Sequence, residues 1–190
     1  EVHRGIDVMH GRIFGVFTKI NLAFFGEGLV GGTLIDQILE SRKDVEKRKV
    51  IRLNIFAIAD SKKVLLAKNG IDKNWRTALA AEGKEAYTIN DVIQFAKKNH
   101  LENLIAVDNT ASDAFVQNYI PLVENGFNLV SSNKTANTKS YDFYTNLRNN
   151  LSKNEKTYLY ETNVGAGLPL VDTIKLLHHS GENITKIKGV

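Results

Sequence analysis

Residues 20–25, Ile-Asn-Leu-Ala-Phe-Phe, form a short and mostly apolar run that opens onto Gly26-Glu27-Gly28-Leu29-Val30-Gly31-Gly32. Behind the glycines, Val30, Leu34, Ile35, Ile38 and Leu39 recur at helical spacing. A buried strand that runs through G-x-G-x-x-G into an amphipathic helix constrains the chain strongly, because each glycine has a separate task. Gly26 makes the tight turn, Gly28 lets the backbone approach a pyrophosphate, and Gly31 lets the helix pack close to the strand. The pyrophosphate is expected over Gly28, Leu29 and Val30, where unpaired N–H groups and the helix dipole favour an anion. The competing reading is a tight strand–helix turn that holds no ligand.

The same alternation continues along the chain. Apolar runs at residues 53–59, 104–107, 127–130 and 157–160 read as four further strands. Helical patterns fall between them. Asn90 is expected to cap a helix over Val92, Ile93, Phe95 and Ala96. Residues 112–123 read as a helix that Pro121 breaks, residues 140–151 as another, and residues 168–178 as a last one stopped by Gly181. Residues 184–190 alternate weakly and are expected to begin a sixth strand. Alternating strands and helices predict an α/β fold, a Rossmann-like doubly wound parallel sheet with helices on both faces. Residues 61–85, with Gly70, Trp75 and Gly83, interrupt the rhythm and are expected to cover one sheet edge or the cofactor pocket. Residues 1–18 read as a lead-in segment.

Composition removes several classes of function. The 190 residues include no cysteine, which excludes disulfides, cysteine-ligated zinc and a thiol nucleophile within this chain. Acylating aldehyde dehydrogenases need such a thiolate, whereas alcohol–aldehyde hydride transfer does not, because the cofactor carries the hard chemistry. The net charge of +4 is a mild excess. No aromatic-interleaved basic motif or helix-turn-helix pattern accompanies it, so no nucleic-acid partner is expected. No apolar run is long enough for a membrane span, and no secretory signal opens the chain. His178 and His179 are adjacent and do not share a helix face, so neither is read as a metal ligand.

Two strand ends carry polar residues that suit the dinucleotide. Asp60 closes the second strand, where an acid accepts from the ribose hydroxyls of NAD. It lies farther from the glycines than is usual, which a long first helix explains. Lys62 and Lys63 follow it and could instead neutralise a 2′-phosphate, so these residues leave the cofactor choice open. At the end of the third strand, Asp108-Asn109-Thr110 offers Asn109 and Thr110 to the nicotinamide side. The alternative there is helix capping by Thr110 or Ser112.

Behind the glycine loop come, in order, Asp108-Asn109-Thr110, then Asn133-Lys134-Thr135-Ala136-Asn137, then Glu161-Thr162-Asn163-Val164-Gly165-Ala166-Gly167-Leu168-Pro169. This order closely resembles homoserine dehydrogenase, and most of all the dehydrogenase half of bifunctional aspartokinase/homoserine dehydrogenases. The resemblance runs from about Lys19 to Val190. It implies reversible hydride transfer between L-homoserine and L-aspartate 4-semialdehyde in threonine and methionine synthesis. NADP(H) is implied first and NAD(H) second. It places Thr110 against the nicotinamide, Lys134 at the nicotinamide end as the catalytic lysine, and a monovalent cation such as Na⁺ on Glu161, Val164, Ala166 and Leu168. A cytoplasmic parent enzyme that forms a homo-oligomer is implied.

On the same resemblance, residues 19–163 are expected to form the dinucleotide-binding domain and residues 164–190 the start of a truncated catalytic domain. Such a fragment is expected to bind cofactor and to turn over little homoserine. The reading from a different class is a non-catalytic dinucleotide-binding or sensor module.

Overall fold

The computed structural model describes residues 17–188; the lead-in read at residues 1–18 lies outside them except for its last two residues. Seven strands form one sheet: β1 (Thr18–Phe25), β2 (Ile51–Ala59), β3 (Lys63–Leu66), β4 (Lys84–Glu85), β5 (Leu104–Asp108), β6 (Asn128–Ser131) and β7 (Tyr158–Leu159). Their order across the sheet is β4-β3-β2-β1-β5-β6-β7. The helices are α1 (Leu29–Lys49), α2 (Trp75–Glu82), α3 (Ile89–Lys98), α4 (Tyr119–Glu124), α5 (Tyr141–Lys153) and α6 (Leu170–His179). None is long and apolar enough to cross a membrane, among the described residues.

Side chains on a strand alternate between faces, and β1 shows how this builds two layers. Leu22 and Phe24 pack with Ile35 and Leu39 of α1 and Trp75 and Leu79 of α2. Ala23 and Phe25 pack on the other face with Val92 and Ile93 of α3, Leu122 of α4 and Leu147 of α5. β1 is therefore apolar on both sides, as a central parallel strand must be. The doubly wound arrangement expected from the alternation is present.

The sheet is parallel except at one edge. β1, β2, β5, β6 and β7 are parallel. β3 runs antiparallel to β2, and β4 antiparallel to β3. The cause is a tight turn after β2. Asp60 Oδ1 accepts from the backbone N–H groups of Lys62 and Lys63, both at 2.6 Å, and the Asp60 N–H reaches the Lys63 carbonyl at 3.0 Å. A side chain that closes its own turn in this way sends the chain straight back. The irregular stretch 61–85 thus extends the sheet edge, and its helix α2 covers the face beside α1.

Three smaller expectations change. Helix α3 begins two residues earlier than Asn90 suggests. Thr88 is its cap, and a capping box joins Thr88 and Asp91 in both directions. Residues 112–123 form a 3₁₀ turn, Phe115–Asn118, followed by α4. Pro121 sits in the first turn of α4, where a missing N–H costs no helical bond, so it does not break that helix. No strand forms over residues 184–188, which are exposed. Weak alternation does not make a strand where no neighbour offers a ladder.

The capping box has a measurable signature. Lys84 and Thr88 hold the Asp91 carboxyl down at about 2. A depressed folded value means the support is present above about pH 3.8 and is lost as pH falls towards 2. Urea unfolding of wild type and Asp91→Asn should show a stability gap at pH 5 that narrows steeply by pH 2.5. A gap constant over that range would show that the carboxylate is not bonded as described.

Candidate dinucleotide site

The strand order reverses beside β1, because β2 lies on one side of it and β5 on the other. In such sheets ligands bind in the crevice beyond the strand C-termini at that reversal. Here β1 runs out into Gly26 and β5 into Asn109, and both turns are tied to the ladder. The Gly26 N–H donates to the Ala59 carbonyl at 2.9 Å, and the Asn109 N–H to the Phe25 carbonyl at 2.8 Å. Gly26 has φ +86° and lies so close to the second turn that a Cβ would stand 2.8 Å from the Thr110 nitrogen. Gly28 caps α1 with no side-chain bond to the first-turn amides. Those amides, over Leu29 and Val30, are left for an external acceptor. Leu29 and Val30 are themselves exposed.

A cavity of about 850 Å³ occupies the crevice, lined by Gly26, Glu27, Gly28, Asp60, Tyr87, Asn109, Thr110 and Phe115 among others. The Tyr87 hydroxyl donates to the Asp60 carbonyl at 3.0 Å. Burial, with the Asp60 charge nearby, pushes that phenol above its ordinary value. Asn109 Oδ1 accepts from Ser132 Oγ at 3.0 Å, while its buried Nδ2 has no partner. A buried amide donor without an acceptor is uncommon and calls for one. Thr110 Oγ1 accepts from Asn133 Nδ2 at 3.3 Å, and its N–H donates to Asp108 Oδ1 at 2.8 Å.

Sequence reasoning missed the group that organises this floor. Asp108 is buried, and its Oδ2 accepts from the Tyr119 hydroxyl at 2.7 Å and from Asn133 Nδ2 at 3.1 Å. Burial raises its carboxyl above the usual range against the opposing effect of these hydrogen bonds. Burial likewise drives the Tyr119 phenol up. Asp108 thus ties the β5 turn, which carries Thr110, to the β6 turn, which carries Lys134. Lys134 itself is exposed and precedes the 3₁₀ turn Thr135–Asn137. It does not line the cavity, and no carboxylate lies within 4.0 Å of it among the described residues. The turn is also held from behind, where Arg148 Nη2 donates to Asn137 Oδ1 at 3.1 Å and packs over the rings of Tyr144, Tyr158 and Tyr160.

Residues 26–161 match the family described as homoserine dehydrogenase, NAD binding domain. The chain belongs to that family. It is 35% identical over its whole length to a bifunctional aspartokinase/homoserine dehydrogenase of Buchnera aphidicola, of which it spans 23%. It is 31% identical, over 91% of its length, to a homoserine dehydrogenase of Schizosaccharomyces pombe, of which it spans 46%. A hyperthermophilic archaeal homoserine dehydrogenase in complex with NADPH superposes with a TM-score of 0.67 at 21% identity, covering 83% of this chain and 48% of that one.

Within the homoserine dehydrogenase family match, two sets of expected residues sit differently from the glycine loop. Lys62 is exposed and does not line the cavity; Lys63 Nζ donates to the Ala80 carbonyl at 3.0 Å and pairs with Glu85 at 3.3 Å. Two of the four residues implied for a cation, Glu161 and Leu168, are engaged with the chain itself. Glu161 accepts through both carboxylate oxygens from the N–H groups of Val171, at 3.0 Å, and Asp172, at 2.9 Å, and so caps α6. The Leu168 carbonyl accepts from Leu170 N–H at 2.8 Å. Val164 and Leu168 are exposed, and Ala166 lies between them at φ +52°. Two of the four implied donors are thus committed elsewhere, and no chemistry is derived through a cation. The dinucleotide, by contrast, fits the glycine turn and the unpartnered Asn109 amide.

Proposed function

We propose that this chain is the nicotinamide-dinucleotide-binding part of a homoserine dehydrogenase that interconverts L-homoserine and L-aspartate 4-semialdehyde. The observation that carries the reading is the cleft at the β1/β5 reversal, with an uncapped helix start on one side and an unpartnered buried donor on the other. The dinucleotide, when bound, supplies or accepts the hydride. The amides over Gly28, Leu29 and Val30 hold the pyrophosphate. Asn109 Nδ2 donates to an acceptor on the nicotinamide half, and Thr110, fixed by Asp108 and Asn133, borders it. Lys134 stands at the mouth of the next strand end, where an ammonium stabilises negative charge developing on the substrate oxygen. Residues 19–163 then make up the dinucleotide-binding domain and residues 164–190 begin the catalytic one. We place the parent in the cytoplasm as a homo-oligomer acting on small-molecule substrates.

An NMR titration of the chain with NADH or NADPH tests this. Saturable shifts are expected at the amides of Gly28, Leu29 and Thr110 and at the Asn109 side-chain amide. If those signals stay in place while the ligand reaches millimolar concentration, the cleft does not bind dinucleotide.

A further inference from the structure

A second cavity of about 220 Å³ adjoins the dinucleotide cleft. Glu27 and Asp60 line both. Its remaining walls come from α2, chiefly Trp75, Arg76 and Leu79. In a sheet of this kind the adenine ribose lies beyond the second strand, where an acid accepts from the 2′-hydroxyl or an arginine meets a 2′-phosphate. This side cavity lies at that position, and it holds groups of both kinds.

Arg76 stands in the wall of this cavity already paired with an acid. Its Nη1 lies 3.0 Å from Asp36 Oδ1 and its Nη2 2.7 Å from Asp36 Oδ2. Trp75 Nε1 donates to the same Asp36 Oδ1 at 2.9 Å, and the guanidinium stacks over the Trp75 ring at 4.1 Å. A two-pronged fork with a stacked face fixes both the position and the charge partner of an arginine. Nothing neutralises the two acids in the same way. Asp60 engages only Oδ1 with its turn amides, and neither Glu27 nor Asp60 has a basic side chain within 4.0 Å among the described residues. Of the lysines after Asp60, Lys63 is tied to Ala80 and Glu85, and Lys62 lines neither cavity.

We propose that this cleft selects NAD(H) over NADP(H), with Glu27 and Asp60 rejecting a 2′-phosphate and Asp36 occupying both prongs of the Arg76 guanidinium. The proposal rests on the dinucleotide reading above, and it reverses the preference for NADP(H) implied by the sequence resemblance. A 2′-phosphate brings a charge of about −1.5 to −2 at neutral pH against two carboxylates that have no ion-pair partner within 4.0 Å among the described residues. A ribose diol brings two donors, and the free Asp60 Oδ2 can accept from them.

Calorimetric titrations of the 190-residue chain with NADH and NADPH, in low salt where surface charge is least screened, decide the matter. NADH should bind more than about tenfold tighter, about 1.4 kcal/mol. The double variant Glu27→Gln/Asp60→Asn, which keeps the turn-forming side-chain oxygen at residue 60, should lower that ratio by about tenfold. Asp36→Asn should release Arg76 and raise NADPH affinity. Circular dichroism confirms that each variant is folded. The proposal is overturned if wild type binds NADPH as well as NADH, if the double variant keeps the full ratio, or if Arg76→Ala weakens NADPH alone. Binding of neither dinucleotide overturns the dinucleotide reading itself, and this proposal with it.

Discussion

Replacing Gly31 with alanine should destabilise the fold by about 3 kcal/mol and abolish dinucleotide binding. Two effects oppose each other here. Alanine is the better helix former by about 1 kcal/mol, and Gly31 lies in the first turn of α1. Against this, a Cβ at residue 31 would stand 1.9 Å from the Gly26 carbonyl oxygen and 3.2 Å from Asn109 Cβ. The first contact is with backbone, so no side chain can swing aside. The helix would have to lift away from the β1 turn and carry the anion-binding amides with it. The clash therefore decides the sign. Gly28→Ala is the contrasting case, because no heavy atom lies within 4 Å of its added Cβ. It should cost at most about 1 kcal/mol, the difference between glycine and alanine as caps, while its methyl group obstructs the pyrophosphate. Urea midpoints and dinucleotide titrations on both variants separate packing from approach. A Gly31→Ala protein as stable as wild type would mean that α1 is not seated as described. Undiminished binding by Gly28→Ala would move the ligand away from the loop.

Asp108 gives the second large effect. Asp108→Ala removes the acceptor for Tyr119, Asn133 and the Thr110 N–H. Hydrogen bonds to a charged group contribute roughly 1.5–3 kcal/mol each. The relieved burial of the charge offsets part of that, and a net loss of about 3 kcal/mol is expected. Asp108→Asn should behave quite differently. Its amide can donate to the Tyr119 oxygen while Tyr119 turns its proton to Ser131 Oγ, 2.8 Å away. Asn133 Nδ2 keeps the Ser112 carbonyl at 3.0 Å. The amide variant should lie within about 1 kcal/mol of wild type, since it also removes a buried charge.

The pH dependence fixes the sign. Burial holds the folded carboxyl above its unfolded value, so protonation favours the folded state. The contribution from this group is full below about pH 3.8 and declines as pH rises through the folded value. Relative to Asp108→Asn, wild type should therefore gain stability as pH falls from 7 towards 4. A relative loss over that range, read from urea midpoints, would show that the hydrogen bonds outweigh desolvation.

Much of this arrangement was legible in the residues. The apolar run, the glycine spacing and the helical pattern behind them set β1, the turn and α1, because each depends on neighbours in sequence. The length of α1, 21 residues, accounts for the distance to Asp60. The antiparallel edge was not legible, since strands of four and two residues are too short to show a period. The start of α3 could have been found, because Thr88-Ile89-Asn90-Asp91 carries the spacing of a capping box. The pairs Asp108–Tyr119 and Asp36–Arg76 join residues 11 and 40 positions apart, beyond any helix or strand period, and no local pattern announces them. Lys62 and Lys63 were given weight by adjacency to Asp60, yet the turn that Asp60 closes draws Lys63 onto Ala80 and leaves Lys62 outside both cavities.

The two outer strands of the sheet, β4 and β7, are each only two residues long. An unpaired strand edge is a template on which another chain can add, and proteins blunt that hazard with short or charged rims. Here one rim is the exposed pair Lys84–Glu85, with Lys84 drawn onto Asp91 and Glu85 onto Lys63. A nascent neighbour arriving at either side finds too few open amides to register against. The long, apolar strands that would nucleate amyloid-like stacking, β1 and β2, are enclosed in the middle of the sheet, out of reach until the whole domain opens.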